Sequence, residues 1–236
     1  MSQPLATTSS VKFVTDGIIF PPGDIYSDEP PLESDLHREQ IDLLIRLIKW
    51  WWRDRNDFYA TGNLTIYFSP NQKKSEEFRG TDFFVVLDAE KKDRKSWVVW
   101  QEDGKYPNVI IELLSDSTAS VDKGLKKQIY QNTFRTPDYF WFDPVSLELQ
   151  GFHLVDGEYQ EIEVTAKGWL WSQQLGLYLG VESGKLRFFT PDGDLVMLPE
   201  EETNQQLQQA NQQLEQERQR VAILAERLRA AGIDPE

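Results

Sequence analysis

Apolar residues recur every three or four positions in the stretch that follows residue 34, and this spacing predicts an amphipathic helix. Its apolar face is formed by Ile41, Leu44, Ile45, Ile48, Trp51 and Trp52. Ser34 or Asp35 is a suitable N-cap, because a short polar side chain there can accept a hydrogen bond from the first turn. Of the consecutive Trp50, Trp51 and Trp52, the spacing predicts two in the core and one partly exposed.

The next segments have the alternation typical of strands. "FYATGNLTIYFSP" carries aromatic and β-branched residues on both sides of a Thr-Gly-Asn turn signal, which predicts two strands joined by a turn. "TDFFVVLDAE" and "NVIIELLS" each predict a strand, and "VDKGLKKQIYQNTF" predicts a helix after the second. Residues 136–164 predict three short strands, and residues 168–198 predict hairpins. This order predicts an α/β (α+β) fold with a mixed central sheet flanked by helices.

Both ends of the chain differ from this central part. Residues 1–34 are rich in Pro, Ser, Thr and acids and predict an irregular arm, which leaves residues 35–199 as the globular domain. Residues 200–236 are rich in Gln, Glu, Arg, Leu and Ala, with seven-residue steps from Leu207 through Leu214 and Val221 to Leu228. The repeat is compatible with a coiled coil and equally with a helix docked on its own domain. Glu217 on the seam weakens a two-stranded zipper.

Composition narrows the classes of function. The chain of 236 residues has no cysteine, which excludes disulfides, thiolate zinc sites and cysteine nucleophiles. Its formal net charge of −14 argues against broad, non-specific binding of nucleic acid but leaves room for a local basic cleft. The sequence shows neither a signal peptide nor a membrane-spanning run of about 20 apolar residues, so we expect a soluble cytoplasmic protein.

Three polar residues stand out within the predicted strand–strand–helix order. Asp82 opens the strand "DFFVVLD", Glu112 lies inside the apolar run "VIIELL", and Lys126 follows in the next helix. Two carboxylates on adjacent strands are hard oxygen ligands of the kind that Mg²⁺ prefers. A nearby lysine can orient or deprotonate a water, or neutralise charge that builds on a phosphate. Together these residues indicate metal-assisted phosphodiester hydrolysis.

Structural interpretations of the same residues stay open at this point. Glu112 and Lys126 could form a buried ion pair and nothing more, and Asp82 could cap a turn. The basic connector, which comprises Lys91, Lys92, Arg94 and Lys95, could contact a phosphate backbone. Acids are interleaved with it, so a solvated loop of mixed charge is the simpler interpretation.

The chain also resembles a known family. The segments behind the resemblance are "GTDFFVVLDAEKKDRKSWVVWQEDGKYPNVIIELLSDST", "DKGLKKQIY" and "TPDYFWFDP", with "LHREQIDLLIRLIKWWWRDRNDFYATGNLTIYF" before them and "AERLRAAGIDPE" at the end. In this order they are similar to the Uma family of restriction endonucleases, within the PD-(D/E)xK nuclease superfamily. The resemblance implies a restriction-endonuclease-like fold and a Mg²⁺- or Mn²⁺-dependent endonuclease that acts on DNA. Separately, the seven-residue repeat from Leu207 to Leu228 makes a homodimer through the C-terminal helix a further expectation.

Residue by residue, the resemblance implies that Asp82 and Glu112 hold the metal and that Lys126 completes the catalytic set. Thr81 stands where the family usually has proline, and the lysine two residues after Glu112 is missing, its place taken by Lys126 on the next helix. Three further residues are expected as accessory members of the site: His37, Glu39 and Tyr130. His153 is expected to be structural. A nuclease-like scaffold that only binds or assembles is the alternative function.

Overall fold

The computed structural model describes residues 14–15, 18–19, 34–68, 78–115 and 122–231, which fall into two compact units, Met1–Val196 and Met197–Glu236. Most of the predicted arm lies outside the described residues. Within it the structure describes a short antiparallel pair, β1 (Val14–Thr15) with β2 (Ile18–Ile19). In the described ranges, no helix has the length and apolar character needed to cross a bilayer.

A seven-stranded mixed sheet forms the centre of the first unit. Its strands are β3 (Phe58–Tyr67), β4 (Phe78–Leu87), β5 (Trp97–Val98), β6 (Val109–Leu113), β7 (Asp138–Phe142), β8 (Leu149–Val155) and β9 (Glu158–Glu161). They lie in the order β5-β3-β4-β6-β7-β8-β9. The β3/β5 and β6/β7 pairs are parallel and the other pairs are antiparallel. The predicted α/β (α+β) class with a mixed central sheet is therefore confirmed.

Helix α1 (Asp35–Trp51) covers one face of this sheet. Ser34 is its N-cap, and the Ser34 hydroxyl accepts a hydrogen bond from the backbone N–H of His37 at 3.3 Å. The helix also contacts a three-stranded antiparallel sheet of β10 (Leu170–Ser172), β11 (Leu177–Glu182) and β12 (Lys185–Phe189). There the buried Gln40 side chain donates to the carbonyl of Leu186 and accepts from its N–H, which joins the helix to the sheet through two hydrogen bonds.

The tryptophans at the end of α1 are arranged differently from the prediction of two in the core. Trp52 is buried, Trp50 is half-buried and Trp51 is exposed, so the prediction was wrong for one of the two. Trp52 lies four residues after the buried Ile48 and therefore continues the buried face. The Trp50 ring lies outside that face, under the guanidinium of Arg53.

Strand β3 is continuous, so the predicted turn at Thr-Gly-Asn is wrong. Gly62 and Leu64 pair with Phe83 and Thr81 of β4 in one unbroken register. The missing side chain at Gly62 allows close approach instead of a turn. A Cβ built there would lie 2.3 Å from the Asp82 carbonyl oxygen and 2.4 Å from the Ile41 side chain. Local turn propensity is thus overridden by the packing of α1 on the sheet.

We expect Gly62→Ala to lower the free energy of unfolding by about 2 kcal/mol, because the added methyl group overpacks the junction between α1 and the sheet. Urea unfolding measures the effect. Gly124→Ala is the matched control, since a Cβ at that exposed position meets no atom within 4 Å. The free energy of unfolding of the Gly124→Ala protein should equal that of the wild type or exceed it by up to about 1 kcal/mol. Equal stability of the Gly62→Ala and wild-type proteins would contradict the close packing of α1 and β4 against Gly62.

Helix α2 covers the opposite face of the sheet. It consists of a π turn (Asp122–Lys126), a short α turn (Lys127–Ile129) and a second π turn (Tyr130–Phe134). Tyr130 and Phe134 belong to the same buried cluster as Phe84 and Ile110. Side chains alternate between the faces of a strand, so α2 lies on the face of Phe84 and α1 on the face of Phe83.

The second unit is described as one long helix, α3 (Pro199–Ala230). Proline at its start and glutamates in its first turn favour a helix N-terminus, and arginines in its last turn suit the C-terminus. The N–H of Leu198 donates to the Glu201 carboxylate at 2.8 Å, which closes the first turn.

Candidate active site

Strands β4 and β6 bring two carboxylates to the same face of the sheet. Phe83 pairs with Ile111, and one further step of this antiparallel register places Asp82 opposite Glu112. Directly opposed residues project from the same face. The Asp82 carboxylate oxygen Oδ2 also accepts a hydrogen bond from the N–H of Leu113 at 2.7 Å, which fixes the side chain across the two strands.

The Glu112 carboxylate is completely buried and has polar partners on both oxygens. Lys126 Nζ lies 2.9 Å from Oε2, and the Tyr130 hydroxyl donates to Oε1 at 2.5 Å. A buried carboxylate without such partners would cost several kcal/mol. The acid inside an apolar strand is therefore stabilised by the following helix, and the structure brings together three of the residues predicted from the sequence.

Two residues of α2 at a four-residue spacing reach the same carboxylate. Lys126 ends the first π turn and Tyr130 begins the second. Residues four apart lie on the same face of a helix, so both side chains project toward Glu112. Single π turns within helices occur frequently at functional sites. The side chain of Lys123, which the sequence places on the same face, lies outside the described residues.

Lys126 and its neighbour Lys127 have different environments. The Lys126 side chain is paired with Glu112 and is 18% exposed. The Lys127 ammonium lies 3.4 Å from the centre of the Phe152 ring. Burial lowers the pKa of Lys127, and the charge of Glu161 opposes that shift. Of these two lysines, Lys126 contacts Glu112 and Lys127 contacts Phe152, which makes Lys127 a natural control.

The backbone opposite Asp82 is strained. Asn63 lies between the paired positions Gly62 and Leu64 of β3 and has a φ of 48°, in the left-handed region. Such residues store strain and are enriched at functional sites. Next to Asp82, the buried hydroxyl of Thr81 has no hydrogen-bond partner among the described residues. The left-handed backbone of Asn63 and the buried Thr81 hydroxyl therefore both lie beside Asp82.

Two of the predicted accessory residues are on the other face of the sheet. His37 and Glu39 belong to α1, whereas Glu112 faces α2. His37 Nδ1 is 2.9 Å from the Ser34 hydroxyl, and the Glu39 carboxylate lies 3.7 Å from Lys185 Nζ. The structure therefore brings Tyr130, but neither His37 nor Glu39, into contact with Glu112.

The donor set of the site fits a hard divalent cation. Mg²⁺ in proteins is commonly held by one or two carboxylates and keeps several waters, and Asp82 and Glu112 supply two carboxylates on one face. Lys126 and Tyr130 hold the Glu112 carboxylate in place, and its oxygens are ligand atoms of the type that Mg²⁺ prefers. In the described ranges, this site included, no cluster of three or more His, Cys, Asp or Glu residues suited to a metal is present, so a cation here would depend on the two carboxylates and on water.

A second buried polar cluster was not found from the sequence. The fully buried Asp138 carboxylate lies 2.6 Å from His153 Nδ1 and accepts a hydrogen bond of 2.6 Å from the Ser172 hydroxyl. Burial, reinforced by the charge of Asp138, raises the pKa of Tyr159 against the effect of its hydrogen bond to Thr136. His153 thus has the structural surroundings expected of it, and the cluster ties β7 and β8 to the small sheet.

The basic connector is partly committed to internal contacts. Arg94 makes two hydrogen bonds of 2.7 and 2.8 Å to the Glu102 carboxylate and lies over the rings of Tyr59 and Trp97. Burial acts to raise the pKa of Glu102, but the hydrogen bonds and charge of Arg94 outweigh it, and the pKa is lowered.

Beside the connector lies a cavity of about 330 Å³, lined by Lys49, Phe58, Tyr59, Ala60, Lys91, Lys92 and Asp93.

Comparison with known proteins identifies a matching family and a similar solved structure. Residues 18–188 match the model of the Uma2 family, described as "Putative restriction endonuclease". No curated protein matches the chain. Among solved structures, a "putative nuclease belonging to DUF820" from Anabaena variabilis matches with a TM-score of 0.46 and 12% identity, over 68% of this chain and 80% of that one. The family match spans the segment that contains both carboxylates and α2.

Proposed function

The chain belongs to the Uma2 family, and from this membership we propose that it is a divalent-metal-dependent endonuclease that hydrolyses phosphodiester bonds in DNA. The observation that carries the proposal is the 2.9 Å contact between Glu112 and Lys126, on the sheet face that also presents Asp82. These residues supply the acids and the cation that metal-assisted phosphodiester hydrolysis requires.

In this proposal Asp82 and Glu112 hold Mg²⁺ or Mn²⁺. When bound, the metal polarises the phosphoryl group and makes a bound water more acidic. Lys126 donates to Glu112 and, in this proposal, also acts on the attacking water or on a phosphate oxygen that gains charge. Tyr130 acts as a positioning residue, because its hydrogen bond fixes the orientation of the Glu112 carboxylate.

Plasmid nicking tests the proposal directly. The purified chain with Mg²⁺ or Mn²⁺ is expected to convert supercoiled DNA to nicked and linear forms, and EDTA should stop the reaction. Asp82→Ala, Glu112→Ala and Lys126→Ala proteins are compared at equal concentration after far-UV circular dichroism shows that they are folded. Cleavage that persists unchanged in the Asp82→Ala and Glu112→Ala proteins would disprove the assignment.

The lysine-lined cavity supports DNA as the substrate. Neither Lys49 nor Lys91 makes an ion pair with another described residue, so both ammonium groups are available for phosphate oxygens. By contrast, Lys92 lies 3.5 Å from Glu90 and 3.6 Å from Glu102. We expect phosphate contacts at Lys49 and Lys91 in spite of the net negative charge of the chain.

Lys49→Ala and Lys91→Ala should each weaken duplex binding and reduce the slope of log K against log salt by about 1. Fluorescence anisotropy at several salt concentrations, in Ca²⁺ to prevent cleavage, measures the slope. Lys167→Ala is the control, since that ammonium lies over the ring of Trp169, just before β10, and Lys167 does not line the cavity. An unchanged slope in both cavity variants would remove the cavity from the DNA interface.

A second function, a nuclease-like scaffold for binding or assembly, is favoured by one observation. Both oxygens of Glu112 already have protein partners, as a purely structural ion pair would. Calorimetry separates the two functions, because an enzyme of the proposed kind binds Mg²⁺ or Mn²⁺ through Asp82 and Glu112. Absence of metal binding to the wild-type protein, together with absence of cleavage, would favour the scaffold.

A further inference from the structure

Helix α3 lacks the packing that normally stabilises a helix of its length. It spans Pro199–Ala230, 32 residues or about 48 Å, and none of its residues is buried. Most helical stability in proteins comes from the burial of an amphipathic face rather than from intrinsic propensity. Burial of an apolar face against a partner helix would stabilise α3 in this way.

The exposed apolar side chains of α3 form a regular stripe. Leu207, Leu214 and Val221 are 58%, 52% and 62% exposed at seven-residue intervals, and Leu228 continues the series. Leu224 and Ala210 lie between them at the alternate three- and four-residue steps. A strict seven-residue repeat keeps one seam facing a partner helix only when two helices supercoil left-handedly. The stripe is thus suited to another helix with the same repeat.

We propose that this partner is the same helix of a second copy of the chain, in a parallel, in-register coiled coil. The argument rests on the one acid in the seam. With Leu207 and Leu214 at position a, Glu217 falls at position d and Arg218 at position e. In a parallel pair, position e of one helix flanks position d of the other, so each Glu217 meets an arginine of the second copy.

The charges within one helix agree with this arrangement. Glu217 already lies 3.2 Å from Arg220 of its own helix, whereas Arg218 makes no ion pair with another described residue. In the dimer the carboxylate lies between its own Arg220 and the second copy's arginine. A single polar layer of this kind reduces stability but fixes register and the number of strands. Glu217 therefore acts as a register device.

The antiparallel alternative is less favourable. With the two helices centred on each other, Glu217 would face Leu214 of the second copy, and the symmetry would produce this mismatch twice. The parallel arrangement confines the acids to one layer and keeps Leu207, Leu214, Val221 and Leu224 opposite themselves. The inference concerns assembly and does not depend on whether the chain cleaves DNA.

Sedimentation of the full-length chain tests the dimer. The wild type is expected to be dimeric, and the Leu214→Asp/Val221→Asp variant monomeric. Gln212→Asp/Gln219→Asp is the matched control, because it adds the same charge on the opposite face of the helix and should stay dimeric. A wild type that is monomeric at all accessible concentrations, or two variants with equal association, would overturn the proposal.

Cross-linking then tests the orientation. The chain has no cysteine, so Leu228→Cys introduces a single thiol. In the parallel dimer the two thiols lie side by side and form a disulfide, whereas in the antiparallel one they are separated by 25 positions, about 37 Å along the axis. Glu226→Cys, on the outer face, should remain reduced. A dimer that fails to cross-link through Leu228→Cys would overturn the parallel arrangement.

Charge reversal tests the proposed register device. Arg218→Glu should weaken dimerisation about tenfold, since two like-charge contacts replace two ion pairs. Glu217→Arg/Arg218→Glu restores opposite charges at both of the equivalent contacts between the two copies and should recover most of the affinity. If the double variant associates no better than Arg218→Glu, the pairing between the two copies is wrong.

Discussion

Replacing Glu112 with glutamine is expected to reduce metal-dependent cleavage about a thousandfold, since loss of a carboxylate ligand removes several kcal/mol of transition-state stabilisation. The same change should leave the fold intact. The amide oxygen of glutamine can accept from Lys126, and its NH₂ group can donate to the Tyr130 hydroxyl, so both present contacts have replacements. Activity and stability are thus separated at one position.

The measurement combines initial nicking rates with calorimetric titration of Mg²⁺ or Mn²⁺. Glu112→Gln should lose metal affinity together with rate, while its free energy of unfolding falls by no more than about 2 kcal/mol. Glu158→Gln, an exposed acid on β9, makes the same chemical change away from the site and should behave like the wild type. Wild-type rates and metal affinity in the Glu112→Gln protein would show that this carboxylate is not a ligand.

The core of the candidate site was accessible from the sequence because it depends on local patterns. An acid inside the apolar run "VIIELL" is costly wherever the strand is buried, and Glu112 is fully buried. Lys126 and Tyr130 lie four apart on the next helix, and helical periodicity places both on one face. The sequence analysis expected Asp82 and Glu112 on adjacent strands, and one further step of the observed β4–β6 register sets them opposite each other.

Other features depend on contacts between distant segments and could not be read from local patterns. Gly62 and Asn63 carry a turn signal, yet β3 keeps one register with β4 on both sides of them, and Gly62 packs closely against α1. Asp138 finds His153 and Ser172 at separations of 15 and 34 residues. The orientation of α1 likewise separates His37 from Glu112. In each case tertiary packing overrides or supplements a local preference.

Replacing Lys126 with methionine is expected to lower the free energy of unfolding by about 3 kcal/mol, because it leaves a fully buried carboxylate without its counter-charge. Methionine keeps the length of the apolar part of the side chain, so packing loss contributes little. Lys127→Met is the control on the adjacent residue. It forfeits only a contact with the Phe152 ring and should cost no more than about 1 kcal/mol.

The double variant Glu112→Gln/Lys126→Met shows which role the ion pair has. With both charges removed, the free energy of unfolding should return to within about 1 kcal/mol of the wild type, since neither group is left buried and charged. Cleavage should stay absent, because a neutral amide and a thioether provide neither the metal ligand nor the cation. A stable, inactive double variant would mean that the pair is retained for chemistry at a cost in stability. If the wild type were equally inactive and bound no metal, the pair would be only the buried ion pair of a scaffold.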